Sequence, residues 1–327
     1  MQYSADGDLR GPLMDTTAWM SCLDNNTKLN GIVMPGSHDA GMSQTNHCGG
    51  GAQFNCGIIQ TQALDILQQL EAGSRYFDIR VDYDHRELVT YHRTGDAGCN
   101  GQPLVAVLDQ SLEFIQSHPS ETFILKFSHI RTNRNNEQEI KDRIDQFLTD
   151  IKYRGYFFTQ SKSDVNLAKI ALGDCRGKII LVFDYPEHIG ARTARFRYRD
   201  GNSHDSSGVE SGGYRGPNIT VYDSYSNTTS LEKMMHDQLA KLDAYGGLDK
   251  DCFFLLSWTL TPNTNTFFDG SVKKLAEEAN PALEEVLIQR MSQPDKPKPN
   301  IVYIDYLNVK TAQSIIQCNF QTLIQTT

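Results

Sequence analysis

The sequence lacks the motifs of several well-known functional classes. No stretch approaches the roughly 18 consecutive apolar residues of a membrane-spanning helix. Neither a GxGxxG turn after a strand nor a phosphate-binding P-loop is present. The GxSxG motif of serine hydrolases and the CxxC spacing of zinc sites are absent too. The sequence therefore gives no support for nucleotide-dependent chemistry, for a serine nucleophile or for a structural zinc site.

The sequence also lacks a positive net charge and, in its first thirty residues, the pattern of a signal peptide. The formal net charge of −9 disfavours nucleic acid as the main partner and broad electrostatic recruitment to anionic membranes. The first thirty residues contain no basic start followed by an apolar run, so we expect no signal peptide in this chain. This pattern fits a secreted protein in its mature form, which we take as the expectation, with a cytoplasmic protein as the alternative.

The seven cysteines do not settle the compartment, because their odd number leaves at least one thiol without a partner inside the chain. Cys48 and Cys56 flank a glycine-rich loop and are spaced to close a local disulfide in an oxidising compartment. His47 beside them also suggests a metal ligand. Without a CxxC spacing, we favour a local disulfide or free thiols over a metal site.

The chain reads as one domain, over residues 1–327. Its length lies within the range of single α/β barrels, and no shift in composition marks a boundary. Eight short runs rich in β-branched and aromatic residues predict buried strands. They span residues 31–39, 74–81, 87–93, 122–129, 178–185, 218–225, 252–258 and 300–308.

Segments with helical periodicity lie between several of these runs. Strands that alternate with helices imply parallel pairing through crossover helices. We therefore expect a distorted (β/α)8 barrel of the TIM type, with an open doubly wound sheet as the alternative. The second and third runs are joined by only a few residues, which departs from strict alternation. The predicted helices span residues 63–72, 104–117, 137–148, 231–242 and 271–291, the last interrupted at Pro281.

Polar or ionisable residues follow the apolar part of most predicted strands. In a parallel barrel all these strand ends meet on one face, where barrel enzymes assemble their active sites. Surface placement of strand ends explains one or two such residues, but two histidines, several aspartates, an arginine and a lysine favour an active site. The residues are His38, Asp39, Asp78, Arg80, His92, Lys126, Asp184, Asp223, Tyr225, Trp258 and Asp305.

The residue types narrow the chemistry. Two histidines with potential carboxylate partners suit acid–base catalysis near neutral pH. Arg80 and Lys126 suit an anionic group, and the planar guanidinium suits phosphate in particular. Since no protein nucleophile is evident, we expect cleavage of a phosphodiester in which a hydroxyl of the substrate attacks.

These segments resemble the bacterial phosphatidylinositol-specific phospholipases C, whose catalytic X-type domain is a distorted barrel. MPGSHDAG resembles the first motif of that family, GSRYFDIRV resembles the second, and TYHRTG contains the second histidine. ETFILKFSH, RGKIILV, VYDSYS and IVYIDYLN follow in the order of the family. The similarity covers about residues 30–310, and the order of the motifs makes the set specific.

The resemblance implies a mechanism of general acid–base catalysis. His38, oriented by Asp305, takes the proton of the inositol 2-hydroxyl, which attacks its own phosphorus. His92, paired with Asp39, protonates the departing diacylglycerol oxygen. The first product is inositol 1,2-cyclic phosphate, and the assignment of His38 as base and His92 as acid rests on the resemblance alone.

The resemblance also implies contacts with the phosphate and with inositol. Arg80, held by Asp78, stabilises the charge on the phosphoryl oxygens, while Lys126, Asp223 and Tyr225 contact the substrate. The family has an arginine near the end of its fifth strand, where this chain has Asp184. Either Asp184 makes a different hydroxyl contact, or a base from residues 191–201 takes that part. The alternative for this arginine-rich run is a solvated loop or helix.

The predicted enzyme needs no metal cofactor. In calcium-dependent relatives an acidic residue occupies the position of Arg80, whose fixed positive charge here would repel a cation. Ca2+ remains the minority alternative, because Asp78, Asp82, Asp84 and Asp96 offer oxygen ligands nearby. Two other functions stay open: a metal-dependent phosphodiesterase acting on glycerophosphodiesters or sphingolipids, and a non-catalytic protein that binds inositol lipids or carbohydrates.

The expected partner is phosphatidylinositol in a membrane, and no protein partner is implied. Exposed aromatic residues near the barrel mouth would insert at the interface of the bilayer. Two aromatic clusters suggest such contacts, with ordinary packing as the alternative for each. Their residues are Tyr153, Tyr156, Phe157 and Phe158 in the first, and Phe267 and Phe268 in the second.

Overall fold

The computed structural model describes residues 14–131, 137–201, 216–262 and 270–320. Within these ranges the chain forms eleven strands, most of them at or close to the predicted runs. In chain order they are β1 (Met34–Ser37), β2 (Asn46–Gly49), β3 (Tyr76–Asp84), β4 (Glu87–Thr94), β5 (Ala97–Pro103), β6 (Thr122–Ser128), β7 (Lys178–Phe183), β8 (Phe196–Asp200), β9 (Ile219–Asp223), β10 (Phe253–Trp258) and β11 (Ile301–Ile304).

Eight of these strands close into a parallel barrel, which confirms the predicted architecture. Strand β1 pairs in parallel with β11 on one side and with β3 on the other. The remaining neighbours, from β3 through β6, β7, β8, β9 and β10 to β11, also pair in parallel. Because the carboxyl ends of parallel strands point the same way, the barrel has a single C-terminal rim.

One predicted barrel strand is wrong, and a different segment takes its place. The third predicted run forms β4, which lies outside the barrel and pairs antiparallel with β3 and β5. The missing barrel strand is β8, within the arginine-rich run for which a solvated loop or helix was one alternative. Its Phe196 and Tyr198 are buried, and they alternate with Arg197 and Arg199, as the two-residue period of a strand requires.

The antiparallel extension grows directly out of the barrel. The first five residues of β3 pair with β6, and Val81–Asp84 then continue beyond the barrel to pair with β4. Strand β5 follows β4 in the same sheet and pairs on its other edge with β2. The short connection between the second and third predicted runs is therefore a hairpin turn rather than a crossover.

Helices cover the barrel from outside, and all five predicted ones have the expected bounds to within about three residues. Pro281 lies inside a helix that runs through it without interruption, contrary to the prediction. In the described ranges no helix is long and apolar enough to cross a membrane. The helices are α1 (Ile66–Glu71), α2 (Leu104–Ser117), α3 (Glu137–Leu148), α4 (Ile151–Arg154), α5 (Leu172–Cys175), α6 (Leu231–Tyr245), α7 (Val272–Met291) and α8 (Val309–Gln317).

The apolar core has an inner part and two outer parts. Inward residues of the barrel strands, such as Tyr76, Ile124 and Ile180, pack with each other inside the barrel. Outward residues pack against α1–α3 on one side of the barrel and against α6–α8 on the other. Since both faces of most barrel strands are buried, the sequences of these strands are largely apolar until they near the rim, whereas β8 alternates aromatic residues with arginines.

Candidate active site

The site lies on the C-terminal rim and is built by the two-residue period of the strands. On β3 the inward positions run from Tyr76 to Asp78 and Arg80, and on β6 they run from Ile124 to Lys126. The inward side chains thus change from apolar to ionisable toward the rim, where they line a cavity of about 1230 Å³. Nine of the eleven residues named for the rim line it, and Asp39 lies buried beside them. Trp258 instead packs outside the barrel, where its indole N–H donates to the carbonyl of Ala279 in α7.

His38 follows β1 and is held by the carboxylate that follows β11. Its Nδ1 lies 2.7 Å from Oδ1 of Asp305, so this nitrogen carries a proton and donates to the carboxylate. The other ring nitrogen, Nε2, lies 3.4 Å from Nη2 of Arg80 and 3.5 Å from Oδ2 of Asp39. The predicted pairing of His38 with Asp305 is present, and Nε2 is left near the anion-binding side chain.

Arg80 lies between two buried carboxylates. Its Nε is 2.5 Å from Oδ1 of Asp39 and 3.1 Å from Oδ2 of Asp78. These two carboxylates outweigh the effect of burial and raise the pKa of Arg80 well above its ordinary value. The guanidinium therefore stays charged and fixed, with its Nη side toward His38 and the cavity.

Asp78 is itself held by a set of donors that includes a residue the sequence reasoning missed. Its Oδ2 accepts a hydrogen bond of 2.7 Å from the hydroxyl of Tyr303, and its Oδ1 accepts one of 2.8 Å from Ser128. Nζ of Lys126 lies 3.6 Å from Oδ1. Although burial alone would raise the pKa of Asp78, Lys126 and Arg80 lower it well below the ordinary value. Asp78 is thus a permanent anion that fixes Arg80.

The sequence contained a signal for Tyr303. It precedes Asp305 by two residues in YIDY, so the period of a strand points both side chains to the same face.

His92 on β4 lies at ion-pair distance from its predicted partner, Asp39, but makes its hydrogen bond to another group. Its Nδ1 lies 2.9 Å from the carbonyl oxygen of Ile59, to which it donates. Asp39, the predicted partner, is 3.4 Å away at Oδ2 and acts on His92 as a nearby charge. No residue type in the sequence marks the Ile59 carbonyl, because it is a backbone group in a turn.

A close backbone approach brings His92 to His38. Gly41 lies under the hairpin, where a Cβ atom would come within 2.3 Å of the Thr90 side chain. Thr90 instead donates a hydrogen bond of 3.1 Å to the Gly41 carbonyl, which ties β4 to the turn after His38. The two histidine rings consequently lie with their centroids 6.3 Å apart.

The environments of the two histidines shift their pKa values in opposite directions. Burial disfavours the charged form of His38, but Asp305 and Asp39 outweigh it and raise its pKa to about 9. Burial lowers the pKa of His92, and the attraction of Asp39 only partly offsets this effect. Near neutral pH the pair therefore holds one proton in the free protein, and that proton lies on His38.

The opposite wall of the cavity carries the predicted inositol contacts. Nζ of Lys126 lies 3.3 Å from Oδ2 of Asp223, which also accepts a hydrogen bond of 3.2 Å from Tyr198. Oδ2 of Asp184 accepts a hydrogen bond of 3.1 Å from the backbone of His129, and burial raises the pKa of this carboxyl. Tyr225 is 59% exposed at the mouth of the cavity.

Strand β8 adds two arginines to this wall. Arg197 and Arg199 line the cavity, as does Asp184 of the neighbouring strand end. Nη1 of Arg197 donates a hydrogen bond of 2.9 Å to the carbonyl of Phe183, just before Asp184. Of the two alternatives for residues 191–201, the solvated loop or helix is wrong, and a base does lie at the cavity.

The acidic residues considered for Ca2+ have other partners. Oδ2 of Asp82 forms an ion pair of 2.8 Å with Arg131, and Asp96 lies 3.6 Å from the same arginine. Asp84 accepts a hydrogen bond of 2.9 Å from Asn100. A cluster with metal-ligand spacing does include His38, Asp39 and Asp78, but the guanidinium of Arg80 lies between its two carboxylates. These donors do not fit a cation while Arg80 is in place.

The first predicted membrane contact is wrong. Tyr153, Phe157 and Phe158 are buried, and the last two lie beside Ile179 at the start of β7, at the end of the barrel opposite the site. The side chain of Tyr156 does not lie at the rim either, because its hydroxyl accepts a hydrogen bond from Gln116 of α2. Phe267 and Phe268, the second predicted cluster, lie outside the described residues.

Of the alternatives considered for Cys48 and Cys56, the local disulfide between them is not formed. Cys48 is joined to Cys99 of β5, and Cys56 keeps a free thiol that lies 3.6 Å from Sγ of Cys48. The pairing follows from the antiparallel contact of β2 with β5, which brings residues 51 positions apart together.

Fold and site together define a class: a closed parallel barrel whose rim offers two histidines for proton transfer around a fixed arginine. Comparison with known proteins agrees with this class. Residues 32–184 match the family model described as phosphatidylinositol-specific phospholipase C, X domain. The resemblance stated from the motifs is thereby confirmed over residues 32–184.

Curated and solved relatives point to the same group. A 1-phosphatidylinositol phosphodiesterase of Listeria monocytogenes is 34% identical over 169 residues, which are 51% of this chain and 48% of the relative. One of Staphylococcus aureus is 24% identical over 173 residues, 50% of this chain and 49% of the relative. The chain thus spans about half the length of the curated relatives it matches.

Structural similarity extends over more of the chain. The phosphatidylinositol-specific phospholipase C of L. monocytogenes superposes with a TM-score of 0.69 and 24% identity, covering 93% of this chain and 99% of that one. A pentafluoro-Phe variant of the S. aureus enzyme gives a TM-score of 0.66 at 20% identity, with 93% and 98% covered. At these identities the likeness shows a common fold.

Proposed function

We propose that this protein is a phosphatidylinositol-specific phospholipase C that cleaves phosphatidylinositol to diacylglycerol and inositol 1,2-cyclic phosphate. The observation that carries the proposal is the arrangement of His38, Arg80 and His92 around one cavity. The two rings are 6.3 Å apart, and Nη2 of Arg80 lies 3.4 Å from His38. A phosphodiester placed there meets a proton acceptor, a proton donor and a fixed positive charge.

In the proposed reaction the substrate supplies the nucleophile. Nε2 of His38 takes the proton of the inositol 2-hydroxyl, and the oxygen forms a bond to its own phosphorus. The bond from phosphorus to the diacylglycerol oxygen breaks, and Nε2 of His92 gives that oxygen its proton. The Ile59 carbonyl supports this role because it holds the Nδ1 proton of His92 and leaves Nε2 for the substrate. Arg80 stabilises the negative charge on the phosphoryl oxygens.

The proton count of the two histidines is compatible with these roles. Catalysis requires one proton on the pair, and the free protein holds one, on His38. Moving it to His92 gives a state of the same total charge, so both distributions contribute to the same macroscopic protonation state. An anionic phosphate between the rings favours the protonated form of His92, which its surroundings disfavour in the free protein.

We assign the inositol ring to the wall formed by Lys126, Asp184, Asp223 and Tyr225. Carboxylates and a lysine within hydrogen-bond reach of one another suit adjacent hydroxyl groups, which both donate and accept. On this wall Asp184, Asp223 and Asp200 balance the charges of Lys126, Arg197 and Arg199, so it has no excess positive charge to hold additional phosphate groups on the ring. Unphosphorylated inositol is therefore the proposed headgroup.

The reaction as proposed uses no metal cofactor. Arg80 supplies the positive charge that a cation would otherwise supply, and its pKa keeps it charged throughout the working range. The Ca2+ alternative would require Arg80 to leave the carboxylates of Asp39 and Asp78.

We propose Phe54 as a contact with the membrane, in place of the buried aromatics. Its side chain is 82% exposed, and the same segment contributes Ala52 and Ile58 to the wall of the cavity. An exposed aromatic ring beside the mouth of the cavity would enter the interfacial region of a bilayer. The Cys48–Cys99 disulfide supports secretion, which we propose as the location.

Phosphorus NMR of the products tests the proposed function. The protein is incubated with phosphatidylinositol in mixed micelles, with and without EDTA. We expect the signal of a five-membered cyclic phosphate at the same rate in both samples. Absence of turnover would favour the non-catalytic binding protein, and loss of the signal in EDTA would overturn metal independence. If the protein instead hydrolyses glycerophosphodiesters or sphingomyelin and not phosphatidylinositol, the alternative of a metal-dependent phosphodiesterase is favoured.

A further inference from the structure

Three cysteines form a cluster beside the site that the proposed mechanism does not use. Cys48 on β2 is bonded to Cys99 on β5, and the free thiol of Cys56 lies 3.6 Å from Sγ of Cys48. The three sulfur atoms lie within 4.8 Å of one another. Cys99 is buried, while Cys48 and Cys56 are half-buried, so reagents in solvent have partial access to the cluster.

A free thiol at this distance from a disulfide is a potential nucleophile. The thiolate of one cysteine attacks a disulfide sulfur and displaces the other, and the rate depends on proximity and access. Because of the separation of 3.6 Å, Cys56 needs only a local movement to reach Cys48. The other free cysteines described, Cys22, Cys175, Cys252 and Cys318, are not part of the cluster.

We propose that Cys48, Cys56 and Cys99 form a thiol–disulfide exchange site. Cys56 loses its proton to solvent, and its thiolate attacks Sγ of Cys48. The Cys48–Cys56 bond forms, the Cys48–Cys99 bond breaks, and Cys99 leaves as a thiolate that takes a proton from solvent. The number of disulfides and thiols is unchanged, so the exchange requires no oxidant or reductant.

The surrounding chain permits the movement that exchange requires. Sγ of Cys56 now faces the carbonyl of Ala52 at 3.4 Å and must rotate away from it to attack along the existing sulfur–sulfur bond. The segment between Cys48 and Cys56 contains Gly50 and Gly51, both with positive φ. Two such glycines in succession let the backbone adapt when the bond changes position.

Exchange would affect both segments that hold His92 in place, the neighbouring strand β5 and the turn that carries the Ile59 carbonyl. On one side, Cys99 is directly opposite His92 in the pairing of β4 with β5. On the other, Cys56 begins the single helical turn Cys56–Ile58, after which the Ile59 carbonyl accepts the Nδ1 proton of His92. With Cys99 bonded, the disulfide braces the strand opposite His92. With Cys56 bonded, it braces the turn and closes residues 49–55, which include Phe54, into a small ring.

Peptide mapping without reduction tests the exchange directly. The folded protein is incubated at mildly alkaline pH for several hours, quenched in acid, alkylated and digested with trypsin. Since trypsin does not cut between Cys48 and Cys56, the original bond links peptides 29–75 and 94–126. The exchanged bond lies within peptide 29–75 and leaves Cys99 alkylated.

We expect both forms in the wild type. C56S should contain the linked peptides only, and C99S, refolded with oxidised and reduced glutathione, should contain the bond within peptide 29–75. The variant C22S is the matched control, because it removes an exposed thiol outside the cluster and should leave the wild-type pattern unchanged. If the wild type shows only the linked peptides at every time point, the proposal is wrong, whether or not C99S folds.

The effect on the site has a second readout, which rests on the proposed function. C56S should keep wild-type cleavage, since the bond that braces β5 is retained. C99S, which mimics the exchanged form, should lower kcat about two- to tenfold, and equal rates would overturn the effect on His92. The peptide map requires no substrate, so failure of the exchange and failure of the proposed function are distinguishable.

Discussion

Two arginines five positions apart in the sequence have contrasting surroundings. Arg75 immediately precedes β3 at the closed end of the barrel, and Arg80 lies on β3 at the rim. Arg75 is completely buried and pairs with Glu121 at 2.7 Å. Its remaining N–H groups donate to backbone carbonyls of the surrounding turns, and its guanidinium lies 4.9 Å from the centre of the Phe114 ring.

Arg80 also pairs with carboxylates, but one of them, Asp39, lacks satisfied hydrogen bonds among the residues described. In the described part of the chain, neither oxygen of Asp39 has a hydrogen bond of good geometry, although Arg80 and both histidines lie within 3.5 Å. A buried carboxylate in this condition is costly unless a further partner arrives. The comparison indicates that charges at the closed end stabilise the fold, while those at the rim are arranged for a ligand.

The largest expected effect separates the rim from the rest of the molecule. His38→Ala and His92→Ala should each lower kcat by about 10²–10⁴, the usual contribution of a general acid or base. His188→Ala is the control, because that histidine pairs with Asp142 on α3 and does not line the cavity. Cleavage of phosphatidylinositol is measured alongside thermal unfolding. Wild-type turnover in either variant would remove the acid–base pair from the mechanism.

Arg75→Met tests the other half of the comparison. It leaves Glu121 buried without its partner, so we expect the free energy of unfolding to fall by about 3–5 kcal/mol. Activity per folded molecule should stay at the wild-type level, because Arg75 lies at the end of the barrel away from the cavity. Urea unfolding provides the measurement.

The double variant R75M/E121Q supplies the control for this prediction. Removing the charge of Glu121 should restore part of the lost stability. If the single variant unfolds like the wild type, the two ends of the barrel do not differ in the way the contacts indicate.

Arg80→Lys should have the opposite effect to Arg75→Met, a loss of activity with little loss of stability. The positive charge is kept, but the planar group that lies between Asp39 and Asp78 and reaches toward His38 is lost. We expect kcat to fall by about 10²–10³, as for the loss of one donor to a transition-state oxygen, with little change in the midpoint of urea unfolding. A large loss of stability with normal turnover would make Arg80 a structural residue like Arg75.

The sequence predicted the rim well because its signal is local. Within a strand, the two-residue period sets which side chains point inward, so the change from Tyr76 to Asp78 and Arg80 is visible in the sequence. Parallel strands then bring such ends to one face without any knowledge of long-range contacts. Seven barrel strands and the cavity residues followed from this rule.

The remaining features depend on contacts that residue types do not encode. The bond of Cys48 to Cys99 follows from the register of β2 and β5, which the spacing of cysteines cannot give. The partner of His92 is a backbone carbonyl in a turn. Strand β8 was missed because it is short and rich in arginine, although its alternation of aromatic and basic residues was a usable signal.

The aromatic cluster Tyr156–Phe158 failed for a related reason. The polar, loop-like sequence around these residues suggested exposure. In the structure Phe157 instead forms a β-bridge with Ile179 at the closed end of the barrel and is buried. Which end of a barrel a loop lies at depends on the direction of the adjacent strand. Because residues 152–160 precede β7, they lie at its N-terminal end, and this could have been read from the order of the predicted elements.

The pH dependence of cleavage offers the finest test of the comparison. Two rim histidines with pKa values shifted in opposite directions predict a bell-shaped profile for kcat/KM. Activity should fall about tenfold per pH unit below the lowered pKa of His92, where both rings are protonated and no base remains. It should fall again above pH about 9, where His38 loses its proton and no acid remains.

Asp305→Asn should move only one side of that profile. It keeps a hydrogen-bond acceptor for Nδ1 of His38 but removes the charge that favours the imidazolium, so the alkaline limb should shift to lower pH. The acid limb should stay in place, because burial and Asp39 control the pKa of His92. An alkaline limb that does not move would mean that His38 is not the group titrating there. The difference in pKa between His38 and His92 would then have no part in the reaction.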